Sequence, residues 1–192
     1  MKASPIADFF DSLAPFWDEG TAMPPSWLLD KIGIQEGDSV LDVGCGSGII
    51  TGSLAEYSHS LVLGVDISPK MIEKAKVNHA NNPNVSFLNA DFCQYGFDSA
   101  FDIIVIYNAF PHFLDKAALK DALVRGLKPN GKAAILHSLS REQLKNHHSG
   151  LSSKISRELD DPRTEASFFE PELFILEAEE SSRHYLILLQ KR

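Results

Sequence analysis

The sequence predicts an α/β fold: a doubly wound, mostly parallel sheet closed by an antiparallel C-terminal hairpin, seven strands in all. Three observations carry this. Strand-type and helix-type stretches alternate over residues 39–137. The strand-type stretches, among them VLDV, LVLGV, FDIIVIY and AAILH, are nearly continuous apolar runs, as parallel strands covered by helices on both faces require. The first of them runs straight into a glycine-rich turn, Gly44-Cys45-Gly46-Ser47-Gly48, and then a helix.

Ahead of the alternating region, Ile6, Phe9, Phe10, Leu13, Phe16 and Trp17 recur at helical spacing, broken by Pro15, and Pro24 with Pro25 ends the segment. From Ser26, a good N-cap residue, the run WLLDKIGI reads as a short helix stopped by Gly33, and Gly37 with Asp38 turns the chain into the first strand at 39–43. Next come a helix at 49–57, a strand at 61–66, a helix at 69–80 capped by Ser68 and a strand at 85–89. A strand at 101–107, a helix at 116–126 and a strand at 132–137, entered through the turn Pro129-Asn130-Gly131, complete the alternation. Beyond it, 141–157 reads as one polar helix. LFILEAEE and RHYLILLQKR read as two strands joined at Ser181 and Ser182.

A chain of 192 residues, 44% hydrophobic and 23% charged, has the composition of one globular domain, residues 1–192. Its net charge of −8 repels nucleic-acid phosphates and anionic membranes on average. Two cysteines, Cys45 and Cys93, form neither a disulfide framework nor a zinc-type pair, which fits a reducing, cytoplasmic compartment. The opening stretch carries two aspartates, Asp8 and Asp11, and no long apolar run, the pattern of neither a signal peptide nor a membrane span.

The glycine turn is the sharpest functional feature. Glycines let the backbone take positive φ and approach a ligand closely, and the helix that follows offers unpaired N–H groups. A dinucleotide loop needs glycine or alanine at the sixth position from Gly44, where Ile49 stands. Asp42, two residues ahead of Gly44, would repel a pyrophosphate but attract a cationic ligand. Asp66, ending the second strand, suits the two hydroxyls of a ribose, because Ser68 is the better cap for the next helix. Asp91, ending the third, is placed to accept an exocyclic amine with Phe92 packed on the ring; by itself such a residue is more often a helix cap.

The ordered set VLDVGCGSG, GVDISPKMIEKAK, NADF, FDIIVIYNAFPHF and LKPNGKAAILH resembles the class I S-adenosyl-L-methionine-dependent methyltransferases, with their Rossmann-like fold, over about residues 39–138. The resemblance implies S-adenosyl-L-methionine as cofactor and S-adenosyl-L-homocysteine as product. It places Gly44, Gly46 and Gly48 on the methionine moiety, Asp66 on the ribose, Asp91 and Phe92 on the adenine, and Asn108 and Ala109 near the transferring methyl. Asp42, Cys45 and Ile67 are counted with them as cofactor contacts. It divides the chain into an N-terminal helical lid at 1–25, a cofactor-binding core at 26–138, and a helix with C-terminal hairpin at 139–192. The lid brings Phe16 and Trp17 toward the substrate.

Methyl transfer is an in-line displacement that disperses a positive charge, so the protein mainly aligns donor and nucleophile and excludes water. Where the nucleophile is a phenol, amine or thiol, a general base helps, and His112 and His137, following the fourth and ending the fifth strand, are the catalytic candidates. His147 and His148 on the helix beyond are the weaker substrate-side members of that cluster. A metal bound by three imidazoles is the minority reading, and no metal is expected. The chain has little beyond the core fold, so the expected acceptor is a small molecule. The alternatives are a cofactor-binding regulatory module without catalysis and an RNA methyltransferase; the latter is disfavoured by the acidic balance and by Asn108-Ala109-Phe110-Pro111 standing where an Asn/Asp-Pro-Pro-aromatic signature belongs.

Overall fold

A computed structural model describes residues 4–18, 23–147 and 150–192 of the chain. Seven strands form one sheet in the order β3-β2-β1-β4-β5-β7-β6. They are β1 Val40–Val43, β2 Val62–Asp66, β3 Val85–Asn89, β4 Phe101–Tyr107, β5 Leu127–His137, β6 Leu173–Ser181 and β7 His184–Lys191. The first five run parallel; β7 joins β5 antiparallel, and β6 pairs antiparallel with β7 at the edge. The fold is Rossmann-like and doubly wound, as the apolar strand pattern predicts.

Strand alternation sorts the core into two layers. Leu41, Val43, Ile104, Ile106 and Ile135 face one side, packed with Leu119, Leu123, Ala166 and Phe169. Val40, Val62, Ile103, Val105 and Leu136 face the other, packed with Leu28, Ile32 and Leu54. The helices are α1 Pro5–Leu13, α2 Ser26–Asp30, α3 Thr51–Ser58, α4 Pro69–Asn78, α5 Phe92–Tyr95, α6 Lys116–Gly126, α7 Arg141–His147 and α8 Pro162–Ser167.

Several expectations need correction. Ser26 opens α2 as its first helical residue, with Pro25 in the cap position. Residues 141–157 are not one helix: α7 ends at His147, and Gly150 at φ +91° and the irregular stretch after it cannot continue it. The short helices α5 and α8 escape the periodicity reading because each is about one turn and a half or less. The Pro129-Asn130-Gly131 turn interrupts β5 rather than preceding it: Phe101 pairs with Leu127 and Ile103 with Lys132, with Asn130 at φ +64° taking up the extra residues. The final hairpin turns at Ser182-Arg183, between Ser181 and His184.

The order reverses between β1 and β4, so the crevice where a doubly wound sheet binds ligands lies at the carboxyl ends of β1, β2 and β4. Ser68 caps α4 there, its Oγ accepting the Met71 N–H at 3.1 Å while its own hydroxyl donates to Asp11 Oδ1 of α1 at 2.5 Å. Ser68→Ala removes both bonds. It is expected to lower stability by about 1 kcal/mol, the worth of an N-cap, in urea denaturation followed by circular dichroism.

Candidate active site

The first strand delivers the chain to Gly44, whose N–H donates to Val65 O at 2.8 Å, and the turn closes with Gly48 N–H on Cys45 O at 2.9 Å. Gly44 has φ +70°, and a Cβ there would lie 2.6 Å from Ala109 Cβ. Only glycine lets the turn pass this close to the end of β4. Gly46, at φ +54°, passes beneath the Trp17 indole, whose Nε1 would be 3.3 Å from an added Cβ.

Asp66 holds this turn in shape. One carboxylate oxygen accepts the Gly46 N–H at 2.9 Å and the other the Ser68 N–H at 2.8 Å. Burial pushes its carboxyl above the ordinary range, against these backbone bonds, and the nearby Asp11 adds to the rise. The bracket joins the glycine turn to the start of α4.

Between this turn, the ends of β2 and β4, and α1 lies a cavity of about 340 Å³. Gly44, Cys45, Gly46, Asp66, Ile67 and Asp91 line its donor side, with Phe92 at its base. Asn108, Ala109 and His112 line the opposite wall, and Ile6, Phe10 and Trp17 cover it. Its charged lining residues are the carboxylates of Asp66, Asp91 and Asp115, with no lysine or arginine among the described residues. Asp91 lines the cavity and also caps α5, accepting the Cys93 N–H at 3.0 Å. Asn108 sits at φ +53°, a conformation asparagine tolerates, and ties β4 to β5 by exchanging hydrogen bonds with Ser138 at 3.2 and 3.0 Å.

Other expected site residues fall elsewhere. Asp42 does not line the cavity: strand alternation turns it with Val40 toward α3, where it is buried and accepts the Thr51 hydroxyl at 2.6 Å. Burial, with Asp66 nearby and despite Thr51, pushes its carboxyl up to about 7. Gly48 faces His79, whose ring would be 2.9 Å from an added Cβ. Phe16 points away, 66% exposed. His137 shares the face of Ile135 and is fully buried against Tyr185, their ring centroids 5.8 Å apart, so it does not reach the cavity with His112. Of His147 only the backbone is described, and His148 lies outside the described residues.

The cover is anchored by two residues that sequence reasoning missed. Asp11 accepts the Ser68 hydroxyl and, at 3.2 Å, the Lys70 N–H. Asp18 accepts the Ser47 hydroxyl at 2.6 Å and pairs with Lys74 at 3.1 Å. Neither belongs to a local motif; both act across more than twenty residues, and the sequence carried no signal for them. The described residues contain no group of three or more His, Cys, Asp or Glu that could hold a metal ion, and no helix long and apolar enough to cross a membrane.

The turn, the bracketed carboxylate and the acidic cavity, together with the likenesses that follow, support a class I S-adenosylmethionine-dependent methyltransferase. The family model described as a methyltransferase domain matches residues 40–131. A ubiquinone biosynthesis O-methyltransferase from Coxiella burnetii is 30% identical over 138 residues, 66% of this chain and 58% of that protein. The chain thus spans a little over half the length of that curated relative. The fold is shared with a putative methyltransferase from Haloferax volcanii, solved with a Trm112 methyltransferase activator, at TM-score 0.80 and 20% identity over 95% of this chain and 97% of that one. It is shared also with the N-methyltransferase NodS of Bradyrhizobium japonicum in complex with S-adenosyl-L-homocysteine, at TM-score 0.70 and 16% identity over 97% and 98%. S-adenosylmethionine is the cofactor of the family.

Two outcomes follow from this geometry. Gly44→Ala forces a strained φ and a clash with Ala109, and is expected to weaken S-adenosylhomocysteine binding at least tenfold in calorimetry. Because Asp42 takes up its proton more readily when folded, at about 7 against an ordinary 3.8, the wild type loses stability as pH rises from about 4 to 7 and no further above. Asp42→Asn removes that loss, so the variant is the more stable protein at pH 8, by on the order of a few kcal/mol, in paired denaturation curves at pH 5 and 8.

Proposed function

We propose that the chain transfers the methyl group of S-adenosylmethionine to a small-molecule acceptor with a protic nucleophile, such as a phenol, amine or thiol, with His112 taking the proton. The observation that carries this is the cavity's charge: three carboxylates and no lysine or arginine line it among the described residues, at the switch point of the sheet. Such a lining disfavours a pyrophosphate and favours a ligand bearing ammonium and sulfonium groups. The fit extends to size, since about 340 Å³ lies in the range of a small-molecule site.

When bound, the cofactor supplies an electrophilic methyl carbon on a positively charged sulfur. The residues of this chain then have three tasks. Asp66 keeps the glycine turn in place and turns a buried carboxylate toward a ribose. Asn108 and Ala109 present the end of β4 to the reacting centre, and the Asn108–Ser138 bonds keep that end in register with β5. His112 lines the same wall, with the Phe10 ring edge-on at 4.9 Å. It accepts the nucleophile's proton as the charge at sulfur disperses.

Support for a small acceptor comes from the cover. Ile6, Phe10 and Trp17 close the cavity with apolar surface, which leaves room for a compact ligand and excludes water. The net charge of −8 weighs against a nucleic-acid acceptor. We read α1 with its following turn as a lid that opens by breaking the Asp11 and Asp18 anchors.

S-adenosylhomocysteine is expected to bind with a Kd on the order of micromolar, near 8 kcal/mol, and Asp66→Ala to weaken it at least tenfold. Binding of NAD instead would refute the cofactor. Hydrogen exchange over residues 5–18 is expected to slow when S-adenosylhomocysteine is added; an unchanged rate would show that these aromatics merely pack on the sheet. Incubation with methyl-labelled cofactor and cell extract, read by mass, identifies the acceptor. His112→Ala should cut transfer to it by about a hundredfold or more with cofactor affinity retained.

A further inference from the structure

We propose that Arg157 and Glu165 are positioning residues of the transfer site, which fix His112 in the tautomer that carries its proton on Nδ1 and leaves Nε2 as the proton-accepting nitrogen. The inference rests on the reading of His112 as the base and specifies what sets its orientation.

His112 Nδ1 lies 2.9 Å from the carbonyl oxygen of Ile155. A carbonyl only accepts, so Nδ1 must carry the hydrogen, and in the neutral ring Nε2 then holds the lone pair. The tautomer therefore depends on where Ile155 is held. Yet residues 151–160 form no helix or strand, so no ladder of backbone bonds fixes them.

A turn bond from the Ile155 N–H to Ser152 O at 2.8 Å shapes the stretch locally, and Arg157 ties it to the residues around His112. The Arg157 backbone N–H donates to Pro111 O at 3.0 Å, its Nε donates to Phe113 O at 3.4 Å, and its guanidinium stands 4.6 Å from the centre of the Phe110 ring. Those three residues surround His112 in the chain. The guanidinium reaches them as a rigid piece because Glu165 receives it through two bonds, Nη1 at 2.6 Å and Nη2 at 3.2 Å.

Glu165 is built for this and is fully buried. It also accepts the Asp160 N–H at 3.1 Å, which anchors the far end of the irregular stretch, and pairs with Lys116 of α6 at 2.8 Å. Burial would raise its carboxyl, but Arg157 and Lys116 outweigh burial and hold it below the ordinary range. A buried carboxylate carrying two cations is a costly way to fasten a surface segment if stability alone is served, because an apolar contact does the same more cheaply. What the ionic fork adds is direction: it fixes one orientation of the stretch, and with it the Ile155 carbonyl.

The test is direct observation of the imidazole. Long-range proton–nitrogen NMR correlation on histidine-labelled full-length protein, at a pH near 8.5 where an ordinary imidazole is neutral, distinguishes a protonated from a lone-pair ring nitrogen. The chain has seven histidines, so His112 is assigned by difference against His112→Gln. In the wild type its Nδ1 is expected to be protonated. In Arg157→Ala the signal is expected to shift toward the Nε2-protonated form that a free imidazole prefers, while S-adenosylhomocysteine affinity stays within about threefold. Glu165→Gln, which keeps an acceptor but loses the charge, gives an intermediate shift and serves if Arg157→Ala does not fold. An Nε2-protonated His112 in the wild type, or an unchanged Nδ1 signature in whichever variant folds, overturns the assignment. A wild type that fails to bind S-adenosylhomocysteine overturns instead the methyl-transfer reading beneath it, whichever tautomer is seen.

Discussion

The Asp66 carboxylate, bonded on one side to the Gly46 N–H and on the other to the Ser68 N–H, is the constraint on which the rest of the donor site depends. Each bond fixes a different piece of backbone. The first holds a turn of positive-φ glycines, which has little conformational preference of its own and would otherwise sample many shapes. The second sets the N-terminus of α4, where Ser68 in turn receives Asp11 from the cover. One carboxylate thereby ties together strand β2, the turn after β1, helix α4 and, through Ser68, helix α1. All four border the same cavity.

That arrangement carries an electrostatic cost which points to its ligand. Burial raises the carboxyls of both Asp42 and Asp66; the charge of Asp66 adds to the rise at Asp42, and that of Asp11 to the rise at Asp66. With no lysine or arginine lining the cavity among the described residues, nothing in the lining offsets this charge. A positively charged ligand does. Such a lining favours cations in a way that a phosphate-binding turn does not. Asp42 contributes to this field from behind the turn, through the strand.

The parts legible in the sequence are those whose causes are local. Parallel strands declare themselves as apolar runs, Ser68-Pro69 declares the start of α4, and the glycines mark the close pass of backbone to Ala109. Asp66 and Asp91 can be placed beside the cavity from the sequence because each sits at or just past the carboxyl end of a strand. The failures share another cause. β4 and β5 are adjacent, but His137 is the last residue of β5 and alternation buries it with Ile135, whereas His112 lies five residues past the end of β4, in a short helical turn that lines the cavity. The Asp11, Asp18 and Arg157 contacts were out of reach for the opposite reason: each joins segments far apart in the chain or lacking any periodic pattern.

This contrast divides the molecule by function. The donor half is assembled from strand, turn and capped helix within a short stretch of chain, and the family match at residues 40–131 covers it. The opposite wall is assembled from the chain after β4 and an irregular segment beyond β5, joined by the hydrogen bond from His112 to Ile155 across 43 residues and by the Arg157–Glu165 fork. Residues 150–172 lie beyond that match. They meet the cavity wall through residues 110–113, by the bonds of Arg157 to Pro111 and Phe113 and of His112 to Ile155. On the proposed function, this division lets the segment that holds His112 differ between acceptors while the glycine turn and Asp66 stay the same.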